Sequence, residues 1–524
     1  MYTLINKSNI AAAISGCVLA ASLSISTLHA QSDDIQLRQV IENMQGTVTW
    51  NEHDRSVSIA VNGVNANIPI DQENATIQGK VVKLNQKPYI SDNMAYISPE
   101  TFKLIRDKVV ALINQSGLEL LGSYSTPSKK AEISASTPDG KRLIVTEATL
   151  GSIRVLNIED VTKVSDVKQI SFKNISDKAE VTSVAVTPDG KYALAAVRTG
   201  DDVTNPSKGF VAVVDLATLE TVKTYEVGIG PDSIAISKDG QYAVIAIEDE
   251  EIDLTTEEID MKTTKRPGSI AILTLPAGDA TKAELTNIAI DLSQTGGGAM
   301  SLHDPQPEYV AISADSTTAA VTLQENNAIA IVNLKDKKVT KTFGLGTTKH
   351  FADLKSNGTV SFKDEMKARP EPDGIAFTAD GKYLITANEG DLGKDEFKDG
   401  VKSGGRNIMV WDLDGKPVYD SKELVDLKAA QVGLYPDERS ANRGSEVENV
   451  TIGEVNGKQM LAVAAERDNA ILFFDMTDPV NPVFKGLIPS AGVSPEGIHK
   501  VNGRNLFVSA DEVSGTVSFY GVKE

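Results

Sequence analysis

From about residue 118 to the end, the chain repeats one pattern of apolar and polar positions. A short apolar run meets a tight polar turn, then come a second run, a break, a third run ending in Asp or Asn, and often a fourth. "SIAISKDGQYAVIAI" at 233–247 carries the first two runs of one unit, and "FVAVVDL" at 210–216 is a third run. Runs this short, bounded by Gly, Pro, Asp and Asn, predict strands. The turns are "TPDGK" at 137–141 and 187–191, "SKDGQ" at 237–241, "SADST" at 313–317, "TADGK" at 378–382, "EVNGK" at 454–458 and "KVNGR" at 500–504. Gly at the end of a turn, with Pro at its second position, suits a tight reversal. Together with the third runs these turns count seven units.

A unit of four short strands cannot bury both faces by itself, and repetition in a ring solves that problem. The expected fold is mainly β: a seven-bladed β-propeller over 118–524. Its last unit ends at "TVSFYGV", 516–522, with no chain for a fourth strand, while "LELLGSYSTP" at 118–127 has no other partner. That N-terminal strand is expected to close the ring as the outer strand of the last blade, leaving no exposed edge at the seam.

Residues 34–112 alternate differently. "GTVTWNEHDRSVSIAVNGVNANIPI" reads as paired strands with turns at "NEHD" and "NG", and further short strands lead to a helix started by "SPETF" at 98–102. This small α+β module resembles the stalk domain at the N-terminus of copper amine oxidases. The resemblance implies a spacer or adhesion element without a copper site.

Ahead of it, residues 1–30 combine Lys7, an apolar stretch from Ile10 to Ile25 and small residues up to Ala30, the pattern of a secretory signal peptide. The sole cysteine, Cys17, lies in "ISGC", so lipoprotein processing is the alternative. An exported protein, periplasmic or extracellular, is expected, without disulfides in its mature form and without another stretch long and apolar enough to span a membrane. The net charge is −20. Such an acidic chain repels phosphate backbones and anionic lipid, which excludes nucleic acid as a partner class.

In a propeller the loops alternate between two faces. The turns after first and third strands are short here, whereas those after second strands and between units include the insertions 248–267, 293–307, 345–370, 389–406 and 427–444. Long insertions on one face mark it as the binding face. On that face, six residues before the second turn residue, stand Glu132, Thr182, Asp232, Glu308, Asp373, Glu448 and Glu496. A second set follows the second strands: Glu147, Arg198, Glu248, Gln324 beside Glu325, Glu389, Glu466 and Asp511. Carboxylates converging on one channel mouth repel one another and favour either a bound cation or arginine counter-ions, for which Arg369, Arg406, Arg443 and Arg467 are at hand. Calcium is the cation expected, with Glu132, Asp232, Glu308, Asp373, Glu448, Glu496, Glu248, Glu389 and Asp511 as ligands, and Asn326, Asn327, Asn388 and Asn469 as sources of neutral oxygens. The other possibility is that each carboxylate only satisfies local backbone N–H groups. His303 and His350, near Asp304 and Asp353, are the one pairing that suits a transition metal; no nucleophile motif or phosphate loop occurs.

"RPEPDGIAF" at 369–377, "GKYLITANEGD" at 381–391, the stretch 442–484 and "SPEGIHKV" at 494–501 resemble bacterial surface propellers of the choice-of-anchor I type. More widely they resemble the lactonase-like group related to quinoprotein amine dehydrogenase β-chains. The resemblance implies an exported propeller, with calcium-dependent lactonases and phytase-like phosphohydrolases among neighbouring families. One departure is that "P-E-G" becomes "SEVEN" at 445–449. The expected function is a binding or scaffold propeller that presents its long-loop face to a protein, glycan or metal-linked ligand. The alternative is a calcium-dependent hydrolase with a carboxylate-lined channel.

Overall fold

The computed structural model describes residues 34–200, 205–249, 252–253, 258–259, 266–295, 302–390 and 400–523. The expected signal segment with Cys17 lies outside the described residues, as do parts of the insertions 248–267, 293–307 and 389–406. No described helix is long and apolar enough to cross a membrane.

Among the described residues, seven four-stranded antiparallel sheets follow one another. Their first strands are Ser134–Ser136, Glu180–Val186, Pro231–Ile236, Val310–Ile312, Ile375–Phe377, Val447–Val455 and Pro495–Lys500. Each first strand touches the first strand of the next sheet, and the seventh touches the first, so the innermost strands close a ring. The protein is a β-propeller. Its seventh sheet is completed from the N-terminal side: Glu119–Ser125 runs antiparallel to Thr516–Gly521, with Ser125 opposite Thr516.

The alternation of strand side chains explains why the second and third runs are apolar throughout. In the second sheet Ala193, Ala195 and Val197 pack against Ile144, Ile153 and Val155 of the first. Leu194 and Ala196, pointing the other way, pack against Ile234, Ala243 and Ile245 of the third. Both faces are buried, and each fully buried Leu, Ile or Val contributes about 1.5–3 kcal/mol.

The N-terminal module holds a five-stranded antiparallel meander from Thr47 to Lys83, helix α1 (Leu37–Asn43) and helix α2 (Pro99–Ile113). Ser98 caps α2, its hydroxyl accepting from the Thr101 N–H at 3.2 Å, and Pro99 takes the first helical position. The "NG" turn reverses tightly, with φ of 46° at Asn62 and 84° at Gly63.

The module packs directly onto the propeller. Leu37, Ile41 and Phe102 share one hydrophobic cluster with Val425, Val432, Leu472 and Phe474. The side chains of Gln39 and Asn43 donate to the Gly358 carbonyl at 2.7 and 3.1 Å, and Asn62 donates to the Gln431 carbonyl at 2.7 Å. Two of the long insertions therefore serve an internal contact. The 345–370 insertion folds into a hairpin of Thr348–Ala352 with Asp364–Ala368. The 427–444 insertion, expected as a loop, supplies the end of helix α3 (Leu424–Gln431) and a short 3-10 turn at Asp437–Arg439. Val425 and Ala429, four residues apart, bury one side of α3.

Candidate functional site

The recurring carboxylates stand where the first strands are bulged. In the second, third, sixth and seventh sheets the pairing register skips Thr182, Asp232 with Ser233, Glu448 and Glu496. In the fourth sheet Thr322 faces two residues at once, accepting from the Glu308 N–H and donating to the Tyr309 carbonyl, both at 3.0 Å. Ala387 does the same with Asp373 and Gly374 in the fifth sheet, at 3.0 and 2.9 Å. A bulge releases one residue from the ladder and re-aims its side chain, so one repeated irregularity places an acid on sheet after sheet. The sheets approach closely at this level. A Cβ on Gly497 would lie 2.4 Å from the Glu132 carbonyl oxygen, and one on Gly374 would lie 2.8 Å from that of Glu448. Gly374 instead donates its N–H to the Glu448 carbonyl at 2.9 Å, while the Ser233 hydroxyl donates to the Glu308 carbonyl at 2.7 Å.

Glu132, Asp232, Asp373 and Glu496 are half-buried, whereas Glu308 and Glu448 are buried. Burial, followed by the like charges of Glu512, Glu180 and Asp232, pushes the Glu132 carboxyl well above the usual carboxylate range. Glu448 rises for the same reason beside Glu389, Glu496, Glu466 and Asp373, as does Glu496 beside Glu512, Glu466, Asp373 and Glu132. Among the described residues no salt bridge reaches Glu132, Glu448 or Glu496. Tyr309, one residue after Glu308, is raised to about 12 by burial and by Asp373, Asp232 and Glu496.

Three sets of carboxylates each bring one oxygen per residue within 4.8 Å of the others: Glu389, Glu446, Glu448 and Glu466; Glu248, Glu308 and Glu325; and Glu466, Glu496 and Glu512. Five of the nine predicted ligands fall in these sets: Glu308, Glu448, Glu496, Glu248 and Glu389. Glu132, Asp232 and Asp373 occupy the ring position outside them. Asp511 turns away into the serine hydroxyls of Ser490, Ser509 and Ser518, at 2.7, 2.8 and 3.1 Å. Its neighbour Glu512, the first residue of the turn that follows this strand, instead joins Glu466 and Glu496. Glu147 is likewise held inside the first sheet by Arg154 at 2.7 Å and Ser152 at 2.7 Å.

Arginines answer part of this charge. Arg443 pairs with Glu389 at 2.7 Å, and Arg198 pairs closely with Glu248. Glu446 is gripped by Arg439, by Arg467 at 3.1 Å and by Arg443 at 3.4 Å. Burial alone would raise the Glu446 carboxyl, but these guanidinium groups outweigh it and hold the residue well below the usual range. Glu466 goes the other way: burial and the charges of Glu446 and Glu389 push it up against the pull of Arg467. Arg406 stands apart, donating to the carbonyls of Asp353, Ser440 and Asn442. Glu446 and Glu512 were not singled out by sequence spacing. Glu446 lies in the departing segment 445–449, and Glu512 is one residue out of register.

Among the four asparagines expected to add neutral oxygens, Asn326, Asn327 and Asn469 are engaged in loop hydrogen bonds. Buried Asn388 keeps an amide oxygen without a partner, and so does Asn449 next to Glu448. His350 is buried with neither ring nitrogen hydrogen-bonded, beside Asp420 and Glu423, while His303 is exposed; no described metal group contains either. On the opposite face a cavity of about 690 Å³ is lined by the first two tight turns. Two of its charged pairs are already formed, Lys141 with Glu159 at 3.0 Å and Lys191 with Asp189 at 2.8 Å.

Residues 132–403 and 393–479 match the choice-of-anchor I domain, well over half of the chain. The chain belongs to the choice-of-anchor I domain family. Residues 34–115 match the copper amine oxidase N-terminal domain. No curated protein sequence matches the chain. Among solved structures, Kuenenia stuttgartiensis hydrazine synthase is similar at 14% identity and a TM-score of 0.48, covering 76% of this chain and 96% of its own. The β-propeller domain of Myceliophteria thermophila Cps50 (Swd1) is similar at 8% identity and the same TM-score, covering 78% and 100%. Likenesses this distant bear on neither ligand nor activity.

Proposed function

We propose that the protein is an exported binding or scaffold propeller whose channel mouth holds a divalent cation, calcium, and presents it to a protein or glycan ligand at the long-loop face. The seven sheets are taken as seven blades, and the family assignment supports a surface or scaffold role. One observation carries the reading. Glu466, Glu496 and Glu512 bring oxygens together; Glu466 is paired with Arg467 at 3.1 Å, while Glu496, like Glu132 and Glu448 near it, has no salt bridge among the described residues. Carboxylates pushed above their usual range by burial and then by one another's charge are converted to ligands when a cation supplies the missing charge. The arginine-paired side, around Glu446, is the other wall of the same mouth.

The test is retention of surface polysaccharide and cell-envelope protein by the immobilised full chain, with calcium and with chelator. Glu496→Gln/Glu512→Gln is expected to abolish the calcium-dependent fraction; retention indifferent to calcium and to this variant contradicts the proposal. A calcium-dependent hydrolase of the lactonase or phytase kind is the second reading. It is favoured by Glu466, which belongs to two of the carboxylate sets and which burial raises to about 7, the range a general base requires. Chelator-sensitive turnover of lactones or phosphate esters, lost in Glu466→Gln, would favour it over pure binding.

A further inference from the structure

A second constellation lies on the other side of the turn that carries Glu466. Helix α3 presents Asp426, and the segment ending at Glu446 and the 466–469 turn pack against it. Ser445 sits at the junction. Its N–H donates to Asp426 Oδ1 at 3.4 Å, and its carbonyl accepts from the Arg467 N–H at 3.1 Å. Asp426, Ser445 and Asp468 are all 0% exposed. Neither carboxylate oxygen of Asp468 has a hydrogen-bond partner, nor do Asp426 Oδ2 and Ser445 Oγ. The Ser445 hydroxyl nonetheless faces both carboxyl groups. Arg406 lies 3.8 Å from Asp426 Oδ2, with its guanidinium occupied by three backbone carbonyls.

Two buried carboxylates face one guanidinium 3.8 Å away, itself engaged with three carbonyls, and one long N–H contact at 3.4 Å, so their charge is poorly compensated. Such a group is strongly unfavourable unless something neutralises it. We propose that Asp426, Asp468 and Ser445 form an internal calcium site, separate from the channel mouth and independent of the function proposed for it. The donor set is oxygen only, as a hard cation requires, and comes from three separate segments, which suits the flexible coordination of calcium better than the strict octahedron of magnesium. The ion would tie α3 to the sixth sheet. Since the Gln431 carbonyl at the end of α3 receives Asn62, the same tie would steady the platform on which the N-terminal module sits.

The experiment is metal analysis of the full chain after calcium loading and passage over a chelating resin, with thermal melts alongside. Wild type and Glu496→Gln/Glu512→Gln are expected to retain a single slowly exchanging calcium, Asp468→Asn to retain none and to gain no thermal stability from added calcium. A wild-type chain that emerges metal-free, its carboxyls neutralised by protons, overturns the proposal, as does Asp468→Asn with undiminished calcium. Should Asp468→Asn fail to fold, Ser445→Ala removes one neutral oxygen and is expected to release calcium faster into excess chelator. Unchanged release in that variant also overturns the proposal.

Discussion

Glu446 and Glu448 are two residues apart, belong to the same carboxylate set and are both buried, yet their neutralisation should have opposite consequences. Glu446 is the common anion of Arg439, Arg443 and Arg467. Glu446→Gln keeps the shape and removes the charge, and stripping one partner from a buried ion pair costs about 3–5 kcal/mol. Arg443 retains Glu389 at 2.7 Å and Arg467 retains Glu466 at 3.1 Å, so the low end applies, about 3 kcal/mol. Glu448 has no salt bridge among the described residues and is surrounded by Glu389, Glu496, Glu466 and Asp373. Glu448→Gln removes repulsion and should leave stability unchanged or raised while chelator is present. The assay is denaturant unfolding of the full chain in chelator near neutral pH, read as the shift in midpoint at constant slope. Equal losses in the two variants would refute the assignment of arginine-neutralised and cation-seeking sides to the mouth.

Other consequences are equally direct. Gly497→Ala drives a methyl group into the Glu132 carbonyl at 2.4 Å, so thermal melts should show a loss of about 1–3 kcal/mol and calorimetry a weakened calcium response. His350 is pushed by burial from 6.5 to about 4. The unfolded chain therefore takes up the proton first: this contribution is intact above about pH 6.5 and lost as pH falls toward 4, at most about 3 kcal/mol. His350→Gln should flatten that part of the pH dependence in denaturant midpoints, and an unchanged slope would contradict the burial argument. Removing residues 34–115 uncovers Val425, Val432 and Phe474. The chain starting at 118 should then form larger species in light scattering than the chain starting at 34, and identical size distributions would contradict the shared core.

The propeller was legible because its signals are local. Turns such as "TPDGK" mark the reversals, and the runs between them are apolar at every position because both faces of each sheet are buried. The closing strand was legible from a count of runs, since one unit lacked its fourth and "LELLGSYSTP" had no other home. The ring position could be found because the bulges recur at a fixed distance from the turns, although the bulges themselves have no residue signature. The second set was less legible. Where a strand ends, one residue decides the face, and Asp511 and Glu512 differ by that step. Arg443 and Arg467 could be named as counter-ions, but their convergence with Arg439 on Glu446 was beyond spacing arguments, since the three come from two loops that meet only in the folded ring. Loop length was only partly informative, because the 345–370 and 427–444 insertions also contact the N-terminal module.

The most direct test of the cation-binding mouth is calorimetry of calcium into the chelator-stripped full chain, run in two buffers of different ionisation heat. Raised carboxyls must shed protons to become ligands, so cation binding at the set that holds Glu466 and Glu496 should release protons near neutral pH and give buffer-dependent heats. The account predicts one binding event more in wild type than in Glu496→Gln/Glu512→Gln, and the buffer dependence should disappear with it. Superimposable isotherms for the two chains would contradict it.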